Sequence, residues 1–114
     1  VTAACMMVKS SVFKAVGGFD EELKVAFNDI DLCMKVRKYG VKIVFTPYAE
    51  LYHDESKSRG MEDTPEKQLR FSREVNCFRR KWERELLKGD PYYNPNLTLN
   101  NTDCSLRKQE KNGD

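Results

Sequence analysis

Gly17-Gly18-Phe19-Asp20-Glu21, then Phe27-Asn28-Asp29-Ile30-Asp31-Leu32, then Arg37: this stretch decides how the chain is read. It sets a glycine turn, a cluster of carboxylates and the start of a helix close together. Asn28 is a good N-cap, Asp29 and Asp31 fall in the first turn, and Arg37 and Lys38 fall in the last, so both ends of the helix dipole are matched. Gly40 supplies the stop. An acidic side chain at the mouth of a rigid helix can be aimed into a cleft, where general-base chemistry is easiest to build.

Downstream, Val41-Lys42-Ile43-Val44-Phe45 alternates enough to predict a strand, ended by Thr46-Pro47, and Glu50-Leu51-Tyr52-His53 predicts a second, shorter one. Helix, tight turn and strand over residues 28–45 make a unit typical of α/β sheets. Upstream, the apolar run over residues 2–8 suits a buried strand, and Ser10 or Ser11 caps a short helix that Gly17-Gly18 ends. Residues 54–64 mix charge with Gly and Ser without periodicity and read as an exposed, mobile loop. Thr64 as N-cap and Pro65 at the first helical position open a long helix to about Leu87, with Leu69, Val75, Phe78, Trp82 and Leu86 available for one face. Gly89-Asp90-Pro91 ends it. The domain boundaries expected from this are residues 1–89 and an extended segment with a polar tail, residues 90–114.

The 114 residues hold one domain. A charged fraction of 33% and a mean hydropathy of -0.71 describe a polar chain, and no apolar run approaches the ~20 residues that span a bilayer. A net charge of +2 does not by itself indicate nucleic acid or an anionic membrane. The first residues lack the basic flank of a signal peptide and an initiator Met, which reads as a chain beginning inside a larger protein. Cys5, Cys33, Cys77 and Cys104 show no zinc-ligand spacing. Cys5 and Cys33 read as reduced core cysteines, which favours an intracellular, reducing compartment.

Three groups of residues are candidates for chemistry. Asp29 and Asp31 either favour the helix start electrostatically, each by about 0.3–1 kcal/mol, or include a general base; their spacing also permits metal binding, as a weak signal. His53 is either an ordinary half-buried histidine or a metal or diphosphate contact, with Arg59 on the adjoining loop suited to phosphate oxygens. The helix with Arg70, Arg73, Arg79, Arg80, Lys81 and Arg84 is basic, but Glu66, Glu74, Glu83 and Glu85 interrupt the stripe. A salt-bridged helix with an apolar underside accounts for it better than a nucleic-acid face.

These pieces, in this order, resemble the C-terminal half of a family 2 glycosyltransferase of GT-A (nucleotide-diphospho-sugar transferase) fold. The likeness rests on Ala4-Cys5-Met6-Met7-Val8, Gly17-Gly18-Phe19-Asp20-Glu21, Asn28-Asp29-Ile30-Asp31-Leu32-Cys33 with Arg37, Thr46 to His53, and Ser56-Lys57-Ser58-Arg59-Gly60. Asp90-Pro91-Tyr92-Tyr93-Asn94-Pro95 also looks like the ending of bacterial members that build surface polysaccharides. The resemblance implies an α/β fold with a small mixed sheet and packed helices. It implies inverting transfer of a sugar from a nucleotide-diphosphate donor to a hydroxyl of a glycan or lipid-linked acceptor.

It makes Asp29 the catalytic base. Asn28 stands where the family has Glu and, with Asp31 and Arg59, is expected on the substrate side; His53 is expected near the metal. A divalent cation, Mg or Mn, is implied, held mostly by an upstream DxD outside these residues, so the piece alone is expected to be inactive. The missing QxxRW points to single additions rather than polymerisation. Nucleic acid is not an expected partner. The expected location is cytoplasmic, with the inner membrane face and peripheral association open for the full-length protein, as is a homodimer. The rivals are a non-catalytic interaction module with half a GT-A fold and a basic-helix nucleic-acid binder.

Overall fold

The structure, a computed structural model, describes residues 2–54 and 64–107. Four α-helices follow in order: α1 (Ser10–Ala15), α2 (Asn28–Lys38), α3 (Pro65–Lys81) and α4 (Glu83–Leu87). The chain divides into two compact units, Val1–Lys81 and Trp82–Asp114. At Trp82 the backbone (φ -114°, ψ 20°) leaves the helical region and splits the single long helix expected to Leu87 into α3 and α4.

In the first unit, α1 closes with a Schellman motif: the Gly17 amide donates to the Lys14 carbonyl (3.1 Å) and the Gly18 amide to that of Phe13 (2.9 Å). Gly18 has φ +64°, and a Cβ there would lie 3.1 Å from the Phe13 ring. That ring meets Phe19 edge-on at 5.5 Å. The same motif ends α2, where Gly40 (φ +91°) donates to Arg37 and Val41 to Val36. At the other end, α2 begins after Phe27, which holds the left-handed conformation (φ 64°). Phe27 therefore occupies the cap position expected for Asn28, and Asn28 is the first helical residue. The charge pattern of α2 is as expected, with Asp29 and Asp31 in the first turn and Lys35, Arg37 and Lys38 in the last. Thr64 also caps α3 as expected, its hydroxyl accepting from the Lys67 amide (3.3 Å).

Among the described residues of this unit, the buried apolar ones are few: Leu23, Leu32, Val36 and Phe78. The segments predicted as strands, residues 2–8, 41–45 and 50–53, take no strand partner among the described residues. Ala3–Cys5 instead forms one 3-10 turn, and Cys5 is exposed rather than in a core. Val44, Phe45, Tyr48 and Tyr52 are largely or fully exposed. A strand is stable only when its backbone groups are paired, and no described segment lies alongside these to pair them. The small mixed sheet is therefore not formed within the described residues.

The second unit is more ordered than an extended segment. Leu97 and Leu106 form an antiparallel bridge, with Thr98 donating to Ser105 (2.9 Å) and Arg107 to Asn96 (2.7 Å). The Tyr93 hydroxyl donates to the Thr98 carbonyl (2.8 Å), and Asp90, Asn94 and Asp103 each cap a turn by accepting the amide two residues on. No helix of the described residues is long and apolar enough to cross a membrane.

Gly18→Ala should destabilise the first unit by about 1–2 kcal/mol through the left-handed backbone alone, more if the Phe13 ring cannot yield. Urea denaturation of the variant against the parent chain measures it.

Candidate functional site

The start of α2 is held from two sides by charged groups. Asp31, with 0% exposure, receives Lys81 of α3 at 2.8 Å and Lys35 of its own helix at 3.2 Å. Lys81 also meets Asp20 at 2.5 Å, and Lys35 donates to the Gly18 carbonyl. Through these two lysines, one buried carboxylate ties the glycine turn, α2 and α3 together. Asp31 was expected on the substrate side; the structure places it inside, paired with Lys35 and Lys81.

Lys81 sets the electrostatics here. Burial works against its charge, but the hydrogen bonds to Asp20 and Asp31 outweigh that and raise its pKa. The same Lys81 bond, helped by the Glu22 amide, holds the Asp20 carboxyl below the usual carboxylate range. A shallow depression beside it is lined by Glu22, Cys77, Arg80 and Lys81. There the Cys77 thiol donates to Glu22 at 3.3 Å, and burial together with that carboxylate pushes the thiol pKa up.

Asp29 lies half-buried one residue into the helix. One oxygen accepts the Ala3 amide (3.1 Å) and the other accepts the Ile30 amide (2.8 Å). A carboxylate offers about four lone-pair sites, so each oxygen keeps one for a further donor. The side chain is oriented by backbone amides without being sealed from solvent. Asn28 stands beside it, also half-buried. His53 is exposed at the end of the unpaired segment, and the described residues contain no group of three or more side chains able to hold a metal ion. Arg59 lies outside the described residues.

One residue escaped the sequence reading. Glu74, in the middle of α3 and 2% exposed, accepts the Val25 amide (3.1 Å) and the Ala26 amide (2.9 Å) with its two oxygens. Its position between Phe71 and Phe78 was the available signal, since a carboxylate at a core register of a helix must have partners. Next in the chain, the Phe27 ring stacks on Phe78 (5.1 Å, 23°) and lies 5.8 Å from Phe71.

The chain is 59% identical over 107 residues to the uncharacterized protein y4gI of Sinorhizobium fredii, covering 93% of this chain and 12% of that protein. It is 40% identical over its whole length to the O-antigen biosynthesis protein RfbC of Myxococcus xanthus, of which it covers 8%. It is 37% identical over 60 residues to an N-acetylglucosaminyl-diphospho-decaprenol L-rhamnosyltransferase of Mycobacterium tuberculosis, covering 53% of this chain and 20% of that enzyme. Relatives named as glycosyltransferases support a glycosyltransferase family. The chain spans about a tenth of the length of the first two relatives. No protein-family model and no solved structure matches it.

Lys81→Met should cost about 3 kcal/mol at neutral pH, the lower end for breaking a buried pair, because Lys35 still faces Asp31. The parent's Asp20 contribution is present above the unfolded carboxyl value of about 3.9 and is lost as pH falls through the lowered folded value. Lys81 contributes below its unfolded value of about 10.4, and that contribution is lost as pH rises through the raised one. Urea titrations from pH 2 to 7 should therefore show a shallower acid limb in the variant than in the parent.

Proposed function

We propose that this chain is the acceptor-side, C-terminal half of a GT-A-fold domain in an inverting, family 2-like glycosyltransferase of cell-surface polysaccharide synthesis. The observation that carries the reading is Asp29: a half-exposed carboxylate on a rigid helix start, oriented by two amides, with lone pairs open for a substrate hydroxyl. The similarity to RfbC and to a rhamnosyltransferase supports glycosyl transfer as the activity. The unpaired apolar segments support a domain whose sheet is completed by chain outside these residues.

In this reading the acceptor oxygen attacks the anomeric carbon from the face opposite the leaving group. The new C–O bond forms as the bond to the diphosphate oxygen breaks, and the nucleoside diphosphate departs with the electron pair. Asp29 takes the hydroxyl proton. Asn28 contacts the acceptor, and Asp31 with Lys81 and Lys35 keeps the helix start in place. The donor is a nucleotide-diphospho-sugar and the acceptor a glycan or a lipid-linked glycan, at the cytoplasmic side of the membrane. Any divalent cation is held chiefly outside this chain, with His53 as a peripheral contact at most, and the piece alone is inactive.

In the full-length protein, Asp29→Asn should lower the transfer rate about 10²–10⁴-fold, the usual contribution of a general base, while donor affinity by calorimetry stays the same. An unchanged rate removes Asp29 as the base.

A further inference from the structure

We propose that Glu74 is a positioning residue for Asp29, acting through the backbone of residues 25–27. The inference rests on the reading of Asp29 as the base. Both Glu74 oxygens are within hydrogen-bond distance of consecutive amides, Val25 and Ala26. The Arg70 guanidinium is farther off, at 3.8 Å from one of them. The backbone amides are thus the main partners of a carboxylate that is almost wholly buried. Two charge-assisted bonds to adjacent amides fix the direction in which the chain leaves this point.

That direction matters because the next residue is strained. Phe27 holds a left-handed backbone, which is unfavourable for a non-glycine residue and persists only where its surroundings over-determine it. Glu74 secures the amides before it, the Phe78 ring holds its side chain, and the Asp31 amide bonds its carbonyl at 2.8 Å. The three constraints together hold residues 25–27, the segment that leads into α2. Without the Glu74 carboxylate, Phe27 can relax to a negative φ. The first turn of α2, and the Asp29 carboxylate with it, then changes direction. α3 supplies the template and Asp29 is what it aims.

The test uses the full-length protein and three variants: Glu74→Gln, Asp29→Asn and the double change. Glu74→Gln keeps the side-chain volume but leaves one amide facing an amide donor. Hydrogen exchange at Val25 and Ala26 should speed up in Glu74→Gln. Its kcat should fall by about ten- to a hundredfold, the loss expected of a misplacement near 1 Å, with donor KM unchanged. In the Asp29→Asn background the same substitution should produce no further loss. An unchanged kcat in Glu74→Gln with faster exchange overturns the proposal, as does a full additional loss in the double variant. If Glu74→Gln fails to fold, Glu74→Asp, which keeps the charge but is too short to reach both amides, is read by the same criteria. Failure of the underlying reading looks different: Asp29→Asn itself then transfers at the parent rate.

Discussion

A carboxylate with no exposed surface and a lysine reaching it from another helix hold the first unit together. Burying Asp31 without a cation would be costly, so the placement of α2 that lets Lys81 of α3 and Lys35 of α2 both reach it is strongly favoured. Only four apolar residues are buried among the described residues of this unit, so nonpolar packing among these specifies their arrangement weakly. The ion cluster supplies what the packing lacks. It also recruits Asp20 and the Gly18 carbonyl, so the glycine turn is fixed by the same charges that fix the helix. This explains why a turn rich in left-handed glycine sits directly upstream of the acidic helix start. The turn must bring Asp20 and a bare carbonyl within reach of two lysines.

Glu74 adds a second attachment on the same helix face, and the two carboxylates work in opposite directions. Asp31 projects from α2 to a lysine of α3, while Glu74 projects from α3 to the amides that precede α2. A helix start gripped at both the side chain and the backbone has little freedom to shift. Asp29 lies between the two grips and is the carboxylate left facing outward. The division of labour among three acids is thus set by where each meets a partner: Asp31 with cations inside, Glu74 with backbone amides inside, and Asp29 with amides on the accessible side.

Local signals in the sequence carried most of the helical architecture. Thr64-Pro65, Gly17-Gly18, Gly40 and the charge order of α2 each state a boundary in short-range chemistry, and each boundary appears within a residue of its signal. The long helix failed at Trp82, whose backbone departs from helical values. The strands over residues 2–8, 41–45 and 50–53 failed for a different reason. Apolar alternation says what a segment is suited to pair with, and pairing needs a neighbour that the described residues do not contain. Asp29 and Asp31 were singled out together, but their sequence spacing cannot say which is buried; only the placement of Lys81 separates them. Glu74 was passed over as one of several acids on a basic helix, because its partners are main-chain amides almost fifty positions away and leave no mark in side-chain pattern.

Crystallography of the full-length protein with donor and an acceptor analogue bound tests the account most directly, through the distance from Asp29 to the acceptor hydroxyl. A carboxylate oxygen at hydrogen-bond distance from that hydroxyl, about 2.6–3.2 Å, with the Ile30 amide bond retained, is the result the account predicts. Acceptor density bound on another face of the protein, with Asp29 still tied to the Ala3 amide and out of reach, would contradict it.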